Sequence, residues 1–145
     1  MDLSKTFPRS PRDKMSGLVH LPRMIDKALA SKLNTLGEYI YPCPLDKIIL
    51  DFLQIDAEEW IRLVHSQNEE QLTRWVEKKS GSSPPDDMES INRKILERKP
   101  DSEDRWKRFY ELRDNIDSSR KDIVTWVDLI DLEEGRHMPA TREEK

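Results

Sequence analysis

The feature that most constrains this sequence is a series of helix-start signals, each followed by apolar residues at helical spacing. Proline suits the first turn of a helix, where its missing N–H is not needed, and both Pro22 and Pro44 precede such a run. Asp56 and Asn68 each stand three residues before a Glu or Gln, which is the pattern of a capping box. No stretch shows the alternation of apolar and polar residues that is typical of strands. The sequence therefore predicts an all-α fold of six or seven short helices.

The length of 145 residues suits one domain with a modest core, and we predict a single helical domain over residues 1–145. Its N-terminal arm is expected to be extended, because Pro8 and Pro11 disfavour helix there. In order, we predict a basic arm with an apolar lead-in (1–21), front helices (22–79), a loop (80–87), back helices (88–135) and a polar tail (136–145). Asp101 and Ser102 are expected to cap the second back helix, and Ser119 to precede the third.

The four tryptophans are predicted to supply much of the core, because large aromatic side chains bury the most surface per residue. Each stands on an apolar stripe at helical spacing, and together they are Trp60, Trp75, Trp106 and Trp126. Trp126 lies close to the chain end, so it is the one that best fits a solvent-facing binding aromatic instead.

The charges are divided unevenly along the chain. Residues 1–32 carry seven basic residues against three acidic ones, whereas the remaining 113 residues carry 18 against 26. A basic arm of this kind either meets an anionic partner or lies along its own acidic body. The second interpretation is favoured, because isolated charge runs are weak signs of function.

Several functional classes are excluded by what the sequence lacks. No apolar run approaches the roughly 20 residues of a membrane span, and the N-terminus has no apolar signal core. One cysteine cannot form an internal disulfide, so we expect a soluble cytoplasmic protein. The three histidines are far apart in sequence, which argues against a metal site, and nothing indicates a cofactor. Residues 56–65 and 68–79 could imitate a helix-turn-helix, but Glu69 and Glu70 would repel phosphates, so nucleic acid is not expected as the ligand.

The start of the first helix is the best candidate for a ligand site. Pro22 fixes that start, where backbone amides carry the positive end of the helix dipole. A small anion could bind there against the arm, among the cationic side chains Arg9, Arg12, His20, Arg23 and Lys27. The competing interpretation is that Asp26 and Asp46 neutralise Arg23 or Lys27, in which case the cluster is structural. That interpretation is slightly favoured, because most such clusters pair internally.

Two functional hypotheses of different class follow. The first is a binding or interaction module for a protein or a small anionic ligand. The second is an enzyme of unrecognised type around the first two helix starts, using Arg23, Asp26, Lys27, Tyr39, Tyr41, Cys43 and Asp46. The binding module is preferred, because the sequence shows no acid–base or nucleophile–base pair at a spacing that is typical of a catalytic site. Cys43 precedes Pro44 at a helix start, where exposed amides could raise its thiolate character, although a small buried filler is the favoured interpretation.

The front half of the sequence resembles an uncharacterised bacterial family that is described as a domain of unknown function. The resemblance covers roughly the first 80 residues and continues loosely through Trp106 and Phe109. It is carried by Pro8-Arg9-Ser10-Pro11, Lys14, Gly17, Arg23, Asp26, Lys27, Asp46, Phe52-Leu53 and Asp56. The resemblance implies a compact bacterial cytoplasmic protein, and it implies no particular activity. Cys43 lies outside the shared pattern, which counts against a thiol chemistry common to the family.

Overall fold

The computed structural model describes residues 1–81 and 84–136, and within them it confirms the all-α class. The described residues form seven helices: α1 (Leu21–Lys32), α2 (Pro44–Leu53), α3 (Ala57–Ser66), α4 (Glu69–Ser80), α5 (Pro85–Leu96), α6 (Glu103–Asp117) and α7 (Trp126–Glu133). The chain divides into two compact units, residues 1–95 and residues 96–145. The single-domain organisation stays a prediction.

In the first unit, α1 is the central helix, and it is buried along almost its whole length. Leu21, Met24 and Ala28 have no exposed surface, and α1 packs against α3 while α2 packs against α3 and α4. Trp60 of α3 is fully buried against α1 and donates its indole N–H to the Met24 carbonyl oxygen at 3.2 Å. The apolar residues of α1 stand at helical spacing and bury the helix among its neighbours. Because its polar residues are buried with it, they must find hydrogen-bond partners inside the protein.

A two-stranded antiparallel hairpin precedes α1, which the sequence did not predict. Strand β1 (Lys14–Met15) pairs with β2 (Leu18–Val19) through a turn at Ser16 and Gly17. Both turn residues have positive φ angles, 53° and 82°, and turns of this kind match the twist of paired strands. Two residues per strand are too few to show alternation, so the Ser-Gly dipeptide is the only signal in the sequence.

The helix starts agree well with the capping signals. Cys43, Asp56, Asn68 and Ser102 are the N-caps of α2, α3, α4 and α6, and each side chain accepts a backbone N–H three residues later. The predicted loop over 80–87 is shorter than expected, because α4 includes Ser80 and α5 begins at Pro85. Residues 82 and 83 of that loop, and residues 137–145 of the predicted tail, lie outside the described residues.

The second unit contains α6 and α7 around a small apolar core. Phe109, Ile123 and Leu129 are fully buried, and Trp106 and Trp126 pack against them. The third back helix begins later than its expected start after Ser119, because Thr125 is the N-cap of α7 and accepts from Asp128 N–H. Ile123 is therefore a buried residue of the preceding turn and does not belong to the helix.

The tryptophan core is confirmed in part. Trp60 is fully buried, whereas Trp75, Trp106 and Trp126 are each half-buried. The Trp126 and Phe109 ring centroids lie 5.1 Å apart with the rings edge-on, so Trp126 packs in the core and is half-buried like Trp75 and Trp106. Across the described part of the chain, every helix is too short or too polar to cross a membrane.

Candidate functional site

A buried group of polar side chains joins the starts of α1 and α2. We call it the Asp46 cluster, and it consists of His20, Lys27, Cys43 and Asp46. Local sequence explains its placement: Pro22 and Pro44 stand in the first turns of the two helices, so the residues around them adopt fixed positions. His20 and Asp46 have no exposed surface, and Lys27 is 3% exposed. Charges buried to this degree must be paired within the protein.

Asp46 is the centre of the cluster. Its Oδ1 lies 2.6 Å from His20 Nε2, and its Oδ2 accepts from Lys27 Nζ at 2.6 Å and from the Cys43 backbone N–H at 2.9 Å. Burial opposes ionisation of this carboxyl group, but the hydrogen bond from His20 and the charge of Lys27 outweigh it. They hold the pKa of Asp46 well below its usual range, so the residue is a carboxylate.

His20 is held in an uncommon conformation. Its φ of 74° places it in the left-handed region, and it occupies the N-cap position of α1 without capping it. Burial lowers the pKa of the imidazole below its ordinary value, which outweighs the opposing effect of Asp46. The neutral ring donates from Nε2 to the Asp46 carboxylate, a tautomer that we assign from the hydrogen bond. Its Nδ1 is buried and has no hydrogen-bond partner within the described residues.

Cys43 is the N-cap of α2, and its Sγ accepts from the Asp46 backbone N–H at 3.5 Å. The side chain is half-buried, as the sequence predicts for a small filler at this position. Burial raises the pKa of the thiol, and the nearby Asp46 carboxylate raises it further. The expectation of increased thiolate character was therefore wrong, because these two effects outweigh the amides of the helix start.

The Asp46 cluster has the residue types of a metal site but is arranged as a hydrogen-bonded group. One potential ligand atom each from His20, Cys43 and Asp46 lies within 4.8 Å of the others. However, the Lys27 ammonium already occupies one oxygen of the carboxylate, and the imidazole N–H occupies the other. A metal cation would have to displace Lys27 or bind beside its positive charge, which opposes binding.

The cationic residues of the arm and of α1 form a second group. Arg9 donates to Asp26 from its backbone N–H at 2.8 Å, from Nε at 3.1 Å and from Nη2 at 3.1 Å. The same Nη2 donates to Glu69 at 2.7 Å. Arg23 donates to the Arg9 carbonyl oxygen and lies 5.4 Å from the centre of the Tyr39 ring. These contacts hold the arm against α1.

Most of the candidates chosen from the sequence lie in two places, and Arg12 and Tyr41 have contacts of their own. Arg9, Arg23 and Asp26 meet at the arm, whereas His20, Lys27, Cys43 and Asp46 meet at the helix starts. Arg12 is exposed, and its backbone N–H donates to Ser10 Oγ. Tyr41 donates its hydroxyl to the Ala57 carbonyl oxygen, and burial raises the pKa of that phenol. Lys27 donates to Asp46, as the structural interpretation expects, whereas Asp26 accepts from Arg9 and Arg23 donates to the Arg9 carbonyl oxygen.

An open groove of about 530 Å³ lies between the arm, α1, α3 and α4, and sequence reasoning missed it. We call it the arm groove. Its apolar lining comes from Met1, Phe7, Ile25, Leu29, Val64 and Leu72. Its polar lining comes from Arg9, Asp26, Gln67, Asn68 and Glu69. Of these lining residues, the sequence singled out Arg9 and Asp26 as candidates. The others come from separate parts of the chain that meet only when the helices pack, so their shared location is not visible in the sequence.

The sequence profile of one family matches residues 5–136. The chain belongs to the family DUF5069, described as a domain of unknown function. The DUF5069 match covers both units, so the resemblance seen in the front half extends through the back helices. A search of curated proteins finds no match to this DUF5069 chain.

Proposed function

We propose that this DUF5069 protein is a binding module and that the arm groove is its ligand site. The proposal is supported most by the composition of the groove, which joins an apolar wall to a polar rim. Ile25, Leu29 and Val64 form part of the wall, and Arg9 and Glu69 stand at the rim. Sites for small molecules commonly have this composition and volumes of about 300–1,000 Å³.

The ligand that suits this groove is a small organic molecule with an apolar body and one polar head. The apolar body would cover side chains that are otherwise open to water, including Phe7, which is 54% exposed at the groove. Removing such surface from water drives association of small molecules. The polar head would reach the hydrogen-bonding groups of Gln67 and Glu69. The cytoplasmic location expected from the sequence belongs to this proposal.

An enzyme site at the first two helix starts receives less support. A catalytic group must reach its substrate, but His20 and Asp46 have no exposed surface. Asp46 also accepts three hydrogen bonds from the protein itself, which suits a residue that stabilises the fold. The cluster then explains how α1 and α2 are fixed, and the binding function is assigned to the groove instead.

The proposal is tested by NMR titration of the full chain with 1-hexanol, which has a six-carbon apolar body and an uncharged head. We expect amide shifts to concentrate at Leu29, Gln67 and their neighbours in the groove. Leu29→Phe fills the groove with a larger side chain, so it should abolish the titration. Leu33→Phe is the matched control, because Leu33 is four residues further along, 59% exposed and not part of the groove lining.

Shifts scattered over the whole surface would contradict the proposal. So would a Leu29→Phe variant that keeps the folded spectrum and still binds 1-hexanol as the parent does.

A further inference from the structure

An ion pair joins two walls of the arm groove. Arg9 belongs to the arm and Glu69 begins α4, and both residues line the groove. Arg9 Nη2 donates to Glu69 Oε1 at 2.7 Å, although 60 residues separate the two in the chain. This contact therefore ties the arm to the start of α4 at the polar rim of the groove.

The two partners of this ion pair are held to different degrees. Arg9 also donates to Asp26 from its backbone N–H, from Nε and from Nη2, and the Asp26 side chain is only 5% exposed. The Glu69 side chain is 55% exposed, and within the described residues Arg9 is the one hydrogen-bond partner of its carboxylate. When the pair breaks, Arg9 therefore stays bound to Asp26, whereas Glu69 is released to water.

The pair is of a kind that opens and closes readily. Ion pairs between exposed side chains contribute little to stability, and dissolved salt screens them. The Arg9 side chain is 39% exposed, so water and salt reach both partners. Opening steps at the edge of a site often limit how fast a bound molecule leaves. A weak pair at the rim can therefore control exchange of a ligand without holding the fold together.

We infer that the Arg9–Glu69 ion pair is a latch that controls access to the arm groove. This inference rests on the proposed function. With the latch closed, the arm and the start of α4 stay together and keep the apolar body of the ligand against Ile25 and Leu29. With the latch open, the start of α4 can move away from the arm, so a ligand enters and leaves faster. The latch acts on the walls of the groove, so it affects ligands whatever their head group.

The test measures the dissociation rate of 1-hexanol at pH 7 from NMR line shapes, for the parent protein, Glu69→Gln and Glu70→Gln. Glu69→Gln keeps the size of the side chain and removes its charge. The control residue Glu70 is adjacent on α4, is 80% exposed, pairs with Arg74 and is not part of the groove lining. Thermal melts of both variants confirm that they fold as the parent does.

Two features of the design separate the latch from other effects. Because 1-hexanol is uncharged, a salt effect that differs between the proteins reports a charge on the protein. Each measurement is repeated with benzene, which has no head that could form a hydrogen bond with the side chain at position 69.

In the parent, we expect the dissociation rate to rise as NaCl increases from about 0.02 M to about 0.5 M, because stronger screening weakens the pair. Glu69→Gln should raise the rate about fivefold at low salt, the upper range for one exposed ion pair, and should remove its dependence on salt. Glu70→Gln should behave as the parent does. Benzene should show the same differences between the proteins as 1-hexanol.

Two results would overturn the inference and leave the proposed function standing. In the first, 1-hexanol binds in the groove, but its dissociation rate in the parent does not change with salt or equals that of Glu69→Gln throughout. In the second, Glu69→Gln changes the rate for 1-hexanol but not for benzene, so Glu69 acts on the ligand head. If neither molecule shifts the groove amides, the proposed function fails together with the inference.

Discussion

Replacing Asp46 by asparagine is the sharpest test of what holds the first unit together. The substitution keeps the size and shape of the side chain and removes its negative charge. Lys27, which is 3% exposed and lies 2.6 Å from Asp46, would then be a buried ammonium without a counter-charge. The amide also cannot accept at both of its ends, so either Lys27 or His20 would face an N–H group.

The expected decrease in the free energy of unfolding is large for a small protein. Removing one partner of a buried ion pair typically costs about 3–5 kcal/mol, because the other charge stays buried and unpaired. Small domains have a free energy of unfolding of about 5–15 kcal/mol, so Asp46→Asn removes a substantial part of it. Asp51→Asn is the control, because Asp51 lies on the same helix and is exposed, and such a surface change usually costs less than about 0.5 kcal/mol.

The measurement is urea unfolding followed by tryptophan fluorescence at pH 7 for the parent and both variants. A double variant, Asp46→Asn with Lys27→Met, removes the unpaired ammonium and should recover part of the lost stability. The difference between parent and Asp46→Asn should also shrink below about pH 4. Asp46 has a lowered pKa in the folded protein, so its contribution is present above the ordinary value of 3.8 and is lost as the pH falls.

A loss below about 1 kcal/mol for Asp46→Asn would refute this account of the cluster. A double variant that is no more stable than Asp46→Asn would refute the role given to Lys27.

Three further predictions concern His20, Cys43 and Trp60. Burial lowers the pKa of His20, so the free energy of unfolding should fall as the pH drops below 6.5, by at most about 1.4 kcal/mol per pH unit. Urea unfolding of His20→Asn should show a smaller pH dependence than the parent between pH 6.5 and 5. Because the pKa of Cys43 is raised, alkylation should reach half its maximal rate only above pH 9, and an ordinary thiol profile would contradict this. Trp60→Ala should lower the free energy of unfolding by about 3–5 kcal/mol and Trp75→Ala by clearly less, because Trp60 is fully buried and Trp75 is half-buried. Equal decreases for the two variants in urea unfolding would contradict this prediction.

The helix starts were predictable because their physics is local. Asn68 and Gln71 exchange two hydrogen bonds across three residues, and Cys43 caps α2 in the same way. A capping bond depends on residues that stand a few positions apart, so it can be recognised in the sequence. The start of α7 was missed although Thr125 is also a cap, because buried Ile123 just before it continues the apolar spacing of the helix.

The candidate site was predictable only as a set of residue types. The sequence offers Asp26 and Asp46 as partners for nearby cations, but spacing does not say which cation each one meets. Asp46 binds Lys27 and His20 across 19 and 26 residues, while Asp26 binds Arg9 of the arm across 17. These pairings depend on how α1 packs against α2 and against the arm.

The sequence by itself determined the all-α class, the caps of α2, α3, α4 and α6, and the chemical character of the arm. Only the tertiary structure decided that Lys27 is buried, that the Cys43 thiol has a raised pKa and that Gln67 lines a groove with Glu69. Helices and caps arise from contacts over three or four residues, which a sequence displays directly. Burial and the pairing of distant charges depend on which helix faces are brought together, and that is settled only when the whole chain packs.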